Sequence, residues 1–150
     1  MLYLHPKMQI ELKYRNIEAR RLSFASVPVD INNNSTVVSV SEDEGNLKVS
    51  FIFTANYEPN VGIIRVEGDL IVKDSKENIK KALEEWKNSG NKNLPEIFAE
   101  SIHNTILSNC IVEATVLSRD VQLPAPIPTP RILINNKEQN TGGDTNTYIR

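Results

Sequence analysis

Between Ile10 and Val72 apolar residues recur mostly at every second position, and from Ser75 onward their spacing changes to three and four. A period of two belongs to strands, whose side chains alternate between faces, and a period near 3.6 belongs to helices. A chain that makes this change once cannot build the repeated strand-helix-strand units of a parallel sheet. It has to form an antiparallel sheet and cover one face of it with the helices that follow.

Ile10, Leu12 and Tyr14 alternate with Glu11, Lys13 and Arg15, but Ile17 and Ala19 take the opposite parity, and Leu22 and Phe24 return to the first. This predicts one long strand with a phase slip on each side of Ile17–Ala19, each slip a bulge that swings the following side chains to the other face. Ser23 to Val29 is poor helix material before and around Pro28, which favours the strand over a helix. Asp30-Ile31-Asn32-Asn33-Asn34-Ser35 reads as a turn or crossover loop, and Thr36 to Ser41 then alternates around Val38 and Val40. An acidic turn, Glu42 to Asn46, leads into Leu47, Val49, Phe51 and Phe53, as in a hairpin. Tyr57-Glu58-Pro59-Asn60 forms a second loop before Ile64, Val66, Gly68, Leu70 and Val72.

The covering helices follow. Ser75 is placed to cap a helix whose apolar residues Ile79, Ala82, Leu83 and Trp86 share one face, with Gly90 at its stop. Pro95 suits the first position of a longer helix through Phe98, Ala99, Ile102, Ile106, Cys110 and Leu117. Ile97, Leu107, Ile111 and Val112 widen its apolar stripe beyond what one sheet needs, which points to a second surface such as another subunit. Leu123-Pro124-Ala125-Pro126-Ile127-Pro128-Thr129-Pro130 places four prolines at alternate positions. That pattern forbids helix and predicts an extended, polyproline-like segment, docked on its own surface or offered to a partner. The fold class is therefore α+β: a four-stranded antiparallel sheet, a short helix, a long helix and an extended proline-rich segment. Residues 1–134 form one domain, and 135–150, rich in Asn, Thr and Gly, are expected to be disordered.

Chemistry is sparse. A net charge of −2 argues against nucleic acid as a partner, and Arg20-Arg21 is too small a basic patch to argue for it. A single cysteine excludes an intramolecular disulfide and a structural zinc cluster. The N-terminus does not read as a signal sequence and no apolar run spans a membrane, so a soluble cytoplasmic protein is expected. His103 and Cys110 share a side of the long helix, but two turns separate them by about 10 Å, too far for a nucleophilic dyad. The glycines form no phosphate-binding loop, and Gly62 and Gly68 read as bulges or tight crossings. Glu84-Glu85 and Glu42-Asp43-Glu44 read as solvated faces. No catalytic residue, metal site or cofactor is expected. Apolar surface remains, including the second face of the sheet, towards which Ile52 and Ile63 point.

Three stretches resemble the SecB family of export chaperones. Ile17-Glu18-Ala19-Arg20-Arg21-Leu22-Ser23-Phe24 resembles its first strand, Ile63 to Ile71 its last strand, and Leu94-Pro95 with Phe98-Ala99-Glu100-Ser101-Ile102 the entry to its long helix. The resemblance implies an ATP-independent holdase, a homotetramer built as a dimer of dimers, with unfolded polypeptides held in apolar grooves. It places the groove between the long helix and the strand crossover, and so implies client contacts by Phe24, Val27, Ile31, Phe98, Ile102, Ile106 and Leu123. Arg21 stands where the family usually carries an acidic residue, the Gly-Thr-Phe-Pro break after the long helix is absent, and the tail carries no net charge. Docking on the SecA motor is therefore not expected, and a holdase outside the export route, such as a guardian of a toxin-antitoxin component, fits better. The alternative is an interaction or ligand-binding module of the same fold, with Leu123–Ile132 as a docking strand for one dedicated partner.

Overall fold

Alternation does what it implies in the centre of the sheet, where every second side chain of the third strand, from Leu47 to Tyr57, is buried. The computed structural model describes residues 8–24, 28–127, 131–133 and 146–148. Strands β1 (Gln9–Arg21), β2 (Asp30–Asp43), β3 (Asn46–Glu58) and β4 (Gly62–Lys73) form one antiparallel sheet in the order β1-β4-β3-β2. Helices α1 (Lys76–Asn88) and α2 (Glu96–Asp120) follow, giving the α+β class. β5 (Arg131–Leu133) and β6 (Asn146–Tyr148) pair as a separate two-stranded unit. Most of the tail expected to be disordered lies outside the described residues; β6 falls within it.

The register of β1 against β4 slips once, at Arg15, between the pairs Tyr14–Gly68 and Asn16–Glu67. The extra residue turns Ile17 and Ala19 onto the face already used by Ile10, Leu12 and Tyr14, as the first phase change implies. The second change lies at the strand's end, where the N–H groups of Leu22 and Ser23 both donate to the Val61 carbonyl, at 2.8 and 3.2 Å. Gly68 permits the close crossing of β1: a Cβ there would collide with the Lys13 carbonyl and press on the Phe51 ring at 3.1 Å. Glu44 and Gly45 join β2 to β3, both at positive φ, the backbone that matches the twist of a tight hairpin.

β2 differs from expectation in two places. Asp30–Ser35 is strand, paired from Asp30–Glu58 to Ser35–Phe53, rather than a loop. Turn propensity loses here because Ile31, Asn33 and Ser35 all point inward and two of them find polar partners there. A bulge at Val38, between the pairs Val37–Phe51 and Ser39–Ser50, brings Val37 and Val40 onto the inner face and leaves Val38 exposed.

The Ser75 hydroxyl caps α1 by accepting from the Asn78 N–H at 3.2 Å, and Ile79, Ala82 and Trp86 are buried. Pro95 is the cap residue of α2, one position ahead of the first helical residue. The buried residues of α2, Phe98, Ile102, Ile106, Cys110, Ala114 and Ser118, are spaced by four throughout. At about 100° per residue that spacing advances the contact line by roughly 40° per step. The line thus winds around the helix as α2 crosses the twisted sheet, from the Ser35 region of β2 to the Tyr14 region of β1. Much of the stripe's breadth is this winding, since Leu107, Ile111 and Leu117 pack against the core. Ile97, Val112 and Val116 remain exposed.

Candidate functional site

At one end of the sheet the register aligns Arg21, Gly62, Tyr57 and Ile31 across all four strands. α2 ends above this row. The Arg21 guanidinium receives it: Nε donates to the Val121 carbonyl at 2.8 Å, Nη1 to the Ser23 carbonyl at 2.8 Å and Nη2 to the Gln122 carbonyl. The Val121 and Gln122 carbonyls, at the end of α2, carry partial negative charge and lack helical partners, so a forked cation suits them. An acidic side chain here would face the same carbonyls with its own oxygens. The guanidinium also lies 4.4 Å from the centroid of the Phe24 ring.

The chain then crosses the sheet as an extended strap. Leu123 lies over Gly62, where its methyls stand at 2.8 and 3.2 Å from the position of a glycine Cβ, so any larger residue would lift it. The Tyr57 hydroxyl donates to the Pro124 carbonyl at 2.6 Å, and Asn33 Nδ2 donates to the Pro126 carbonyl at 2.9 Å. Burial pushes the Tyr57 phenol up to about 12, so it keeps its proton and remains a donor. Leu123 and Pro126 are buried, whereas Pro124, Ala125 and Ile127 are exposed. A buried residue every third position is the face of a polyproline helix. Leu123 to Pro126 is therefore a self-contact; Pro128, Thr129 and Pro130 lie outside the described residues.

The expected client residues separate. Phe98, Ile102 and Ile106 belong to the core between α2 and the sheet; Ile102 and Ile106 are fully buried, and Phe98, also buried, borders a cleft of about 370 Å³ with Pro95 and Ile97. Leu123 is buried in the strap and Ile31 is half-buried at its far end. Phe24 is 79% exposed beside Arg21, and Val27 lies outside the described residues. Sequence reasoning missed Tyr57, Asn33 and Arg21 as the seat of the strap. The alternate prolines signalled an extended segment, but nothing local linked them to a tyrosine and an asparagine on other strands.

The outer face of the sheet is polar around Ile52 and Ile63, which are half-buried. Asp69 accepts from Arg15 and from Ser50, the latter at 2.7 Å. Burial alone would raise its carboxyl, but the Ser50 hydroxyl and the Arg15 guanidinium outweigh that and hold it below its ordinary value. Glu67 accepts from Asn16 at 3.0 Å and pairs with Arg65 at 3.3 Å.

Two further places hold reactive side chains. Ser35 Oγ and His103 Nδ1 are 2.7 Å apart beside a cleft of about 400 Å³ lined also by Trp86, Lys92 and Leu94. Among the described residues no carboxylate hydrogen-bonds the imidazole, so the pair reads as a tie between β2 and α2. Cys110 is buried, and burial followed by the Glu113 charge pushes its thiol up to about 12. At neutral pH it behaves as a small apolar side chain. Tyr14, above it, is likewise pushed up to about 12, chiefly by burial. Among the described residues no group of three His, Cys, Asp or Glu side chains is placed to hold a metal, and no helix is long and apolar enough to cross a membrane. Comparisons with protein-family models, curated proteins and solved structures found no match.

Proposed function

We propose that the protein is a polypeptide-binding holdase of the SecB-like kind, acting without ATP as a homo-oligomer. The carrying observation is apolar surface left open among the described residues: Phe24, Ile97 and Val112 are 79%, 73% and 62% exposed, with Val116 and Ile127 beyond half. Side chains of that size left in water favour burial against another chain, at roughly 25 cal/mol per Å². Such burial needs no strict sequence readout, which suits a client-holding role. The order of elements, with an antiparallel sheet before a short and a long helix, supports the same reading.

Light scattering on the purified chain, alone and then with an equal concentration of a chemically unfolded client, tests it. The expected result is a stable oligomer that keeps the client in solution. A monomer that leaves client aggregation unchanged would overturn the reading.

A further inference from the structure

We propose that the seat of the strap is a ligand site for extended, proline-containing apolar segments, and that Leu123 to Pro126 is its displaceable internal occupant. The inference deepens the holdase reading and rests on it for the biological client, though not for the site itself. Its substance is the set of groups that the strap uses. Tyr57 and Asn33 both donate to main-chain carbonyls, two residues apart, and the two buried side chains are three residues apart. Neither donor requires an N–H from the occupant, so prolines are tolerated at both bonded positions. A tyrosine hydroxyl and an amide that read carbonyls of a polyproline helix, with apolar side chains filling the seat every third residue, make up a known physical mode of proline-rich recognition. Any chain with that backbone and apolar residues at the Leu123 and Pro126 positions presents the same surface.

Two features make the internal occupant displaceable. Between and beyond its two buried anchors, Leu123 and Pro126, the strap faces solvent at Pro124, Ala125 and Ile127. Asn33 Oδ1 is buried and has no hydrogen-bond partner among the described residues, so the strap leaves one acceptor of its own seat unmet. A segment that offers a donor there has an advantage over the strap. The apparent affinity for an outside segment is reduced by the fraction of molecules whose seat is empty, so loosening the strap has to tighten binding.

The test uses the full chain and a fluorescein-labelled peptide Leu-Pro-Ala-Pro-Ile-Pro, with binding read by anisotropy. Leu123→Ala weakens strap packing and is expected to tighten peptide binding roughly tenfold. Pro124→Gly removes no buried side chain and only frees the strap backbone, so it is expected to tighten binding about two- to fivefold with the fold intact. Tyr57→Phe added to the double variant Leu123→Asp with Pro126→Asp, whose strap no longer fills the seat, should weaken binding by about two- to tenfold, because the lost donor then counts against the peptide alone. A peptide with Asp in place of Leu and of the second Pro should not bind. Equal affinity in wild type, Leu123→Ala and Pro124→Gly, or binding indifferent to Tyr57→Phe in the Leu123→Asp, Pro126→Asp background, would overturn the proposal. Peptide binding without client protection would sink the holdase reading alone, and client protection without peptide binding would sink this one alone.

Discussion

Asp69 illustrates how a single side chain on the outer sheet face couples stability to pH. Its carboxyl is held down by Ser50 and Arg15 against the opposing effect of burial, so the folded chain binds its proton less readily than the unfolded chain does. A carboxyl depressed on folding contributes stability above its unfolded pKa of about 4, and the contribution is lost as pH falls through the folded value. The urea midpoint is therefore expected to decline below about pH 4. Asp69→Asn should lower the midpoint at pH 7 and make the acid decline shallower; an unchanged slope would remove Asp69 from the coupling. The alternation made the outer position of Asp69 legible, but its partners were not, because Ser50 lies on β3 and Arg15 is the bulge residue of β1. Gly68 was legible as a crossing, since an isolated glycine inside an alternating run has few other uses.

β4 and α1 occur where the spacing places them, and β3 does so except at its end, where Tyr57 and Glu58, expected in a loop, are strand paired with Ile31 and Asp30. β2 was half-legible. The Asn-rich stretch carries turn propensity, and its strand conformation depends on what it meets in the fold, namely β3, α2 through Ser35 and His103, and the strap through Asn33 and Pro126. The site lagged behind the fold for the same reason. Tyr57, Asn33 and Arg21 are distant in the chain and come together only through sheet register and the end of α2. If the strap fixes the start of β2, truncation after Gln122 should speed amide exchange selectively at Asp30–Ser35, by roughly thirtyfold given two lost hydrogen bonds of about 1 kcal/mol each. Amides of Val40–Asp43 near the hairpin turn should keep their protection. Uniform acceleration along β2 would mean that β3 pairing, and not the strap, holds this stretch.

The molecule as a whole presents two faces of different chemistry. The outer sheet face carries Arg15, Asp69, Glu67 and Arg65, whose charges pair with one another, with Asn16 donating to Glu67 beside them. The opposite side, beyond α2, leaves Ile97, Val112 and Val116 in water along one helix. If copies of the chain associate, the cost of desolvation is lower on the helix side, because few paired charges have to be stripped there. Val112→Glu with Val116→Glu places two charges on exposed positions, so the monomer fold should survive with its thermal midpoint little changed. The same charges would be buried in an interface built on α2, and the mass measured by light scattering is expected to fall to that of a single chain. An oligomer that persists in this variant would move the interface to an open edge of the sheet, β1 or β2, where unpaired backbone groups offer the other route to association.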